Sequence, residues 1–328
     1  MENYFDYIIT FVEQYSGYFS LLSVALFSFL VSLPKDLNPL SVVELIFQQI
    51  AVKVNLDNRS DSYKRIASLL SLSLVYFPCI LIISQLYNIV FKPALLETLL
   101  LFLILSWHDK KLIYDQVINA IKRNNLAQAK YKLSTLTQRE TKPLSLMGVN
   151  KACIESMVLQ LTASWFAVIF WYLLTGIYGA LLYRTVQICA QQWNAKKEEF
   201  NALTSIPSFF YAAMLFPVHL IMTMTFALYD KPLANIIKNC KQSIHWHHFS
   251  SGLMLSSFAL SMQVELGGIR LYQEQKITYA TLGSDGAPSI EQVQQSLQRL
   301  SLSAWFWLIC ISSYTFFPLL FEFITQHR

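Results

Sequence analysis

Residues 66–90 form a run of 25 positions without a single Asp, Glu, Lys or Arg, and no other feature limits the fold of this chain so strongly. About 20 predominantly apolar residues of helix cross a hydrocarbon layer about 30 Å thick. Stretches 18–33, 162–190 and 301–325 come near the same standard. Two more are plausible spans: 93–107, short and carrying Glu97, and 206–229, interrupted by Pro217 and His219. The composition agrees, since 14% of the residues are charged and 54% are apolar, whereas soluble domains average about 25% charged. Polar residues at that level do not cover the surface of a soluble chain of this size. An ordinary cytosolic enzyme, a disordered chain and a disulfide scaffold are excluded. The expected fold is an all-α, polytopic helical membrane protein of about 4–6 spans with a small helical region outside the bilayer.

Orientation follows from the basic residues. Six spans starting outside place segments 34–65, 108–160 and 230–300 in the cytoplasm, and these hold five, nine and six Lys/Arg, together 20 of the 25 in the chain. Residues 1–17 carry Glu2, Asp6 and Glu13 and no basic residue. That acidity is the reverse of a signal peptide's basic start and puts the N-terminus outside by the positive-inside rule. Basic residues are neither run together nor interleaved with aromatics, so the net charge of +5 points to membrane orientation and lipid headgroups rather than nucleic acid.

Two of the spans carry breakers. Thr175-Gly176-Ile177-Tyr178-Gly179 sits in the middle of 162–190, and each glycine costs a helix interior about 1 kcal/mol relative to Ala. Pro217 removes a backbone hydrogen bond from 206–229. Each segment therefore reads either as a full span or as two half-helices dipping in and out, which bilayers tolerate only against protein or a water-filled cavity. With hairpins, Lys196 and Lys197 would join the cytoplasmic side.

Outside the spans, Leu112, Ile113, Val117, Ile118 and Ile121 recur at helical spacing, and 126–136 continues the pattern after Asn124-Asn125. Residues 40–54 form an amphipathic stretch suited to the interface. Three regions result: 1–107 with the N-terminal spans and the interfacial helix, a cytoplasmic helical region 108–160, and a membrane region 161–328 containing the cytoplasmic loop 230–300.

Chemistry is sparsely marked. The phosphate-loop, dinucleotide-binding, HExxH and GxSxG patterns are all absent. The five cysteines, without a C-x-x-C pair, read as free thiols. His245, His247 and His248 crowd one turn, yet neighbouring imidazoles on a regular element face different ways and no carboxylate or Cys joins them at ligand spacing, so no metal site is assigned. Glu97 and His219 are ionisable groups within apolar segments, a hint of function by their rarity, and each can equally reach headgroups or protein partners.

Between Arg139 and Arg184 the chain resembles the central region of the CobD/CbiB family, the membrane-bound adenosylcobinamide-phosphate synthases of cobalamin biosynthesis. The likeness lies in Arg139-Glu140-Thr141, Val149 through Ser156, Phe170-Trp171-Tyr172, and Gly176-x-x-Gly179-Ala180-Leu181-Leu182-Tyr183-Arg184. Asn38-Pro39-Leu40 resembles its early His-Pro-Val, and Leu266-Gly267-Gly268 with Tyr272 its late Leu-Gly-Gly…Tyr. The resemblance implies ATP-dependent amide formation between adenosylcobyric acid and aminopropanol or its phosphate, at the cytoplasmic side of the bacterial inner membrane, with Mg²⁺ as metal and a corrinoid as small-molecule partner. It further implies Glu155 and Ser156 as catalytic residues, Glu155 for metal or base work. Arg139, Thr141, Arg184, Gln187, Gly267, Gly268 and Tyr272 become substrate-binding residues, the arginines for phosphate or corrin carboxamides.

The polar signatures are thinned. The family's Glu-Ser-x-x-Glu-Asn is Glu155-Ser156-Met157-Val158-Leu159-Gln160 here, without the second carboxylate. Its Asn-x-x-Asp-Ser-Met is Gln187-Ile188-Cys189-Ala190-Gln191-Gln192, without the Asp, and its Arg-Leu-Asp-Asp has no counterpart. Two functions therefore stand side by side: a divergent cobalamin-pathway synthase, and a non-catalytic sensor or signalling modulator similar to the AmpE branch of the same superfamily. A transporter is a third reading, without an inverted repeat to support it.

Overall fold

In the computed structural model, residues 15–31, 33, 34, 37–56, 58–193, 201–229, 232–246, 248–272, 274–284 and 286–326 are described. The acidic residues before position 15, Lys196, Lys197 and His247 lie outside them. The chain is an all-α polytopic membrane protein with one β-hairpin. In order come α1 (Ser16–Phe27), α2 (Leu40–Val54), α3 (Asp61–Ile89), α4 (Pro93–Ile104), α5 (His108–Lys122), α6 (Leu126–Ser134) and α7 (Leu146–Leu161). After α7 come a π-helical turn (Thr162–Phe166), α8 (Ala167–Gln192), α9 (Asn201–Ala227), α10 (Pro232–Ser243), α11 (Phe249–Met262), β1 (Glu265–Tyr272), β2 (Gln275–Gly283) and α12 (Ile290–Gln326).

Local chemistry sets the helix ends. Ser60 caps α3 by accepting from the Tyr63 N–H, Asn125 caps α6, and Ser145 caps α7, each offering a side-chain oxygen to an otherwise orphaned amide. Pro93 opens α4 at the position where its missing N–H costs nothing. Asn124, in the left-handed region at φ 55°, turns α5 into α6.

Among the described residues three helical stretches have the length and apolarity to cross a membrane: Asp61–Ile89, Leu146–Gln192 and Ala202–Ala227. The second does not run straight. A continuous helix would separate residues 163 and 183 by about 30 Å, yet the Tyr183 hydroxyl donates to the Ala163 carbonyl at 2.6 Å. Ser164 and Arg184 also reach the same residue, Ser106. The segment therefore folds back on itself, and the break is Gly176, at φ 70° and ψ −163°, a conformation essentially restricted to glycine. Gly179 serves the same turn differently, since a Cβ there would lie 1.6 Å from the Thr175 hydroxyl. Counted with α7 and the π-helical turn, the first arm, 146–175, is about 45 Å long, whereas the returning arm, 177–192, is about 24 Å, too short to recross a bilayer about 30 Å thick. Of the two readings of 162–190, the structure takes the re-entrant hairpin. The next segment runs through Pro207 and Pro217 as one helix.

The large core gathers aromatic side chains where the bilayer bundle meets the polar cap. Trp107, Trp165, Phe166 and Trp307 make edge-to-face contacts, and Trp165 donates to the Ser28 hydroxyl at 3.0 Å. A second core pins α2 to the returning arm of the hairpin: Phe47 packs edge-on to Trp193, whose indole N–H donates to the Phe47 carbonyl at 2.9 Å.

The cap joins distant segments. Asn150 donates to the Pro288 carbonyl, Lys122 to Gln294, and Lys151 pairs with Glu265. Segments 108–160 and 265–300 thus share one face of the molecule. Region 230–300, read as a loop from sequence, holds α11, buried along nearly its whole length, and the antiparallel β1–β2 hairpin.

Candidate functional site

The hairpin brings Glu155 its partners. β1 and β2 pair in register from Tyr272↔Gln275 to Gly268↔Tyr279, then slip by one, because β2 carries Ala280 as an extra residue opposite the Gly267–Gly268 step. Gly267 adopts φ 84°, and a Cβ on it would lie 2.2 Å from the Ala280 carbonyl oxygen. Its N–H donates to Glu155 Oε1 at 2.6 Å. The other carboxylate oxygen, Oε2, lies 3.3 Å from Nη1 of Arg139 and 3.1 Å from Nη2 of Arg270. All three charged side chains are buried: Glu155 is 4%, Arg139 6% and Arg270 7% exposed.

Each arginine is held from outside the cluster. The stretch before α7 lies along the hairpin, with the Glu140 N–H donating to the Leu271 carbonyl at 2.9 Å and Glu140 Oε1 accepting from the Glu274 N–H. This delivers the adjacent Arg139 to Glu155. Arg270 lies against two rings that also touch each other, Trp246, 4.9 Å from its ring centroid, and Tyr279, at 4.2 Å. Burial, followed by the like charge of Arg270, pulls the Arg139 guanidinium below its ordinary value against the attraction of Glu155. Arg270 ends above its ordinary value, because Glu155 and Tyr272 outweigh the downward pull of burial. Both stay charged at neutral pH. Two guanidinium groups against one carboxylate leave a unit of positive charge, and Arg139 Nη2 and Arg270 Nε have no hydrogen-bond partner among the described residues.

Arg139, Glu155, Gly267 and Tyr272 thus meet. The other residues singled out from sequence do not join them. Arg184 and Gln187 form a separate buried cluster on the returning arm of the re-entrant hairpin: Arg184 donates to Gln187 Oε1 at 2.6 Å and to the Ser106 hydroxyl at 3.1 Å. Ser156 turns away and donates to the Cys153 carbonyl at 3.0 Å. Thr141 donates to the Lys130 carbonyl at 2.9 Å, tying the segment before α7 to α6. Gly268 has φ 94° with open space where a side chain would project.

Three participants carried no mark in the motif reading. Arg270 stands two residues from both Gly268 and Tyr272, on the same side of a strand, and that alternation was the available signal. Trp246, inside the His-Trp-His-His stretch, contributes where the histidines do not, since His245 and His248 face outward. Tyr279 is found only by pairing the strands. Elsewhere, Glu97 lies half-buried beside Gly17 and Tyr172, whose hydroxyl donates to the Gly17 carbonyl at 2.9 Å. His219 is buried, with Nδ1 3.1 Å from the Ser250 hydroxyl.

Mg²⁺ demands octahedral oxygen ligands, usually one or two carboxylates among them. Glu155 spends both oxygens on cations and an amide, and no three His, Cys, Asp or Glu side chains gather as metal ligands among the described residues. The residues present do not fit the ion at this position.

Comparison with known proteins gives a consistent answer. The family model described as CobD/Cbib protein matches residues 21–300. A protein named cobalamin biosynthesis protein CobD from Stutzerimonas stutzeri is 23% identical over 217 residues, 66% of this chain and 72% of its own length. Its namesake from Chromobacterium violaceum is 24% identical over 197 residues, covering 59% and 62%. Another from Leptospira interrogans is 24% identical over 257 residues, covering 74% and 81%. No solved structure matches.

Proposed function

Because this chain belongs to the CobD/CbiB family, we propose that it is an inner-membrane protein of cobalamin biosynthesis that binds an anionic corrinoid, or the phosphate of its partner substrate, at the Arg139–Glu155–Arg270 cluster. The N-terminus lies outside and the cap faces the cytoplasm, the arrangement that puts the 14 Lys/Arg of 34–65 and 108–160 inside. One observation carries the reading: Arg139 and Glu155 meet a segment more than a hundred residues further along, forming a buried cluster with surplus positive charge and guanidinium donors to spare. A carboxylate or phosphate oxygen is the natural acceptor for such donors. The reaction class implied by the family is amide ligation of a corrinoid carboxylate. Arginine would orient and neutralise the carboxylate in that reaction, and ATP would enter as co-substrate.

The test is titration of the purified full chain with adenosylcobyric acid. The expected outcome is saturable binding that R139Q weakens about tenfold or more, the worth of one charge-assisted hydrogen bond. A folded wild-type protein that binds no corrinoid, and that fails to rescue a strain lacking the synthase, would overturn it. A second reading draws on a specific observation, the full engagement of Glu155 by Gly267 and two arginines. In it the protein keeps binding and has lost turnover, as a sensor similar to the AmpE branch. That reading predicts no ATP consumption with corrinoid and aminopropanol present, and measurable ligation removes it.

A further inference from the structure

Away from the cap, α3 and α9 flank a shallow, open groove of about 440 Å³ lined by Arg65, Leu69, Ser205, Ile206, Phe209 and Phe210. The volume lies within the usual range for small-molecule sites, about 300–1,000 Å³. Its wall is almost wholly apolar and opens onto surface of the same kind: Ile66, Leu70 and Phe209 are each more than three-fifths exposed. On a membrane protein such a face meets acyl chains. The exception is Arg65, one turn inside the start of α3. It is exposed and its guanidinium makes no hydrogen bond or ion pair among the described residues, with Arg59 and Lys64 close by in sequence and Asp61 as the one acid there. A helix that begins with charge and continues as an uncharged run from residue 66 to 89 crosses from the headgroup layer into hydrocarbon at this point.

We propose that this groove is a binding site for one anionic phospholipid. An acyl chain lies along Leu69, Ile206, Phe209 and Phe210, and the headgroup phosphate accepts from the Arg65 guanidinium. The local excess of basic charge selects an anionic over a zwitterionic headgroup. Arginine suits the task because its planar fork matches phosphate oxygens and its charge persists at all physiological pH.

The experiment is native mass spectrometry of the full chain released from nanodiscs of mixed phosphatidylglycerol and phosphatidylcholine. Wild type should retain one phosphatidylglycerol in preference to phosphatidylcholine. R65Q should lower that preference about fivefold, and R65K should restore most of it. I206W, which fills the groove, should reduce retention of both lipids. Circular dichroism checks that each variant keeps its helix content, and the exposed Arg65 makes R65Q the safest of them. An unchanged preference in folded R65Q, or equal retention of both lipids by wild type, would overturn the site.

Discussion

Replacing Glu155 by Gln tests whether the buried cluster is short of negative charge. The amide keeps the size of the carboxylate and an oxygen for the Gly267 N–H, so shape and hydrogen bond survive. What disappears is the only carboxylate that pairs with Arg139 and Arg270 among the described residues, both arginines being less than a tenth exposed. Removing one side of a buried ion pair costs about 3–5 kcal/mol, because the remaining charge is stranded away from water. Here two like charges are left facing each other. Against a total stability of about 5–15 kcal/mol, E155Q should lower the melting temperature by roughly 6–20 °C, taking about 2–4 °C per kcal/mol. R139Q should behave differently. It leaves Glu155 paired one-to-one with Arg270 and removes the surplus positive charge, so its cost should stay below about 2 kcal/mol, and E155Q/R139Q should recover part of the loss of E155Q. The assay is thermal unfolding in detergent, followed by circular dichroism at 222 nm. Equal destabilisation by E155Q and R139Q would refute the reasoning, since it would mean that the two groups act as a balanced pair and that no positive charge is left for a ligand.

Two further outcomes follow from the backbone. G267A must place a Cβ 2.2 Å from the Ala280 carbonyl at φ 84°, so it should cost about 1–3 kcal/mol or more and open the hairpin to proteolysis and hydrogen exchange; wild-type protection would remove the claim that the slipped register depends on glycine. In a chain cleared of native cysteines, M147C and Q192C should both react with an impermeant maleimide from the same side of the membrane, since the segment between them folds back at Gly176. Labelling from opposite sides would mean that the segment crosses.

Glu155, Arg139, Gly267 and Tyr272 were all within reach of the sequence, because their motifs mark backbone and charge requirements that survive divergence. Gly267 occupies a position where no side chain fits, and Arg139 and Glu155 answer each other's charge. Gln187 and Arg184 were marked by the same kind of motif, yet they belong to a different cluster, since the fold-back at Gly176 sends them to Ser106. Arg270 escaped because an arginine on a short strand looks solvent-bound until strand pairing turns Ile269 outward, 67% exposed, and Arg270 inward.

The membrane class, the helical character of the cap and the one-sided crowding of basic residues are determined by the sequence alone. Each depends on the chemistry of neighbouring residues and on a solvent boundary that a hydropathy pattern senses directly. Whether 162–190 crosses or folds back was open in sequence, because a glycine pair allows both and only the packing of Tyr183 on Ala163 selects one. The state of Glu155 was likewise decided by tertiary structure. A carboxylate in a motif can hold a metal or an arginine, and which it holds depends on groups brought from more than a hundred residues away, Gly267 and Arg270, by a hairpin whose register turns on a single glycine.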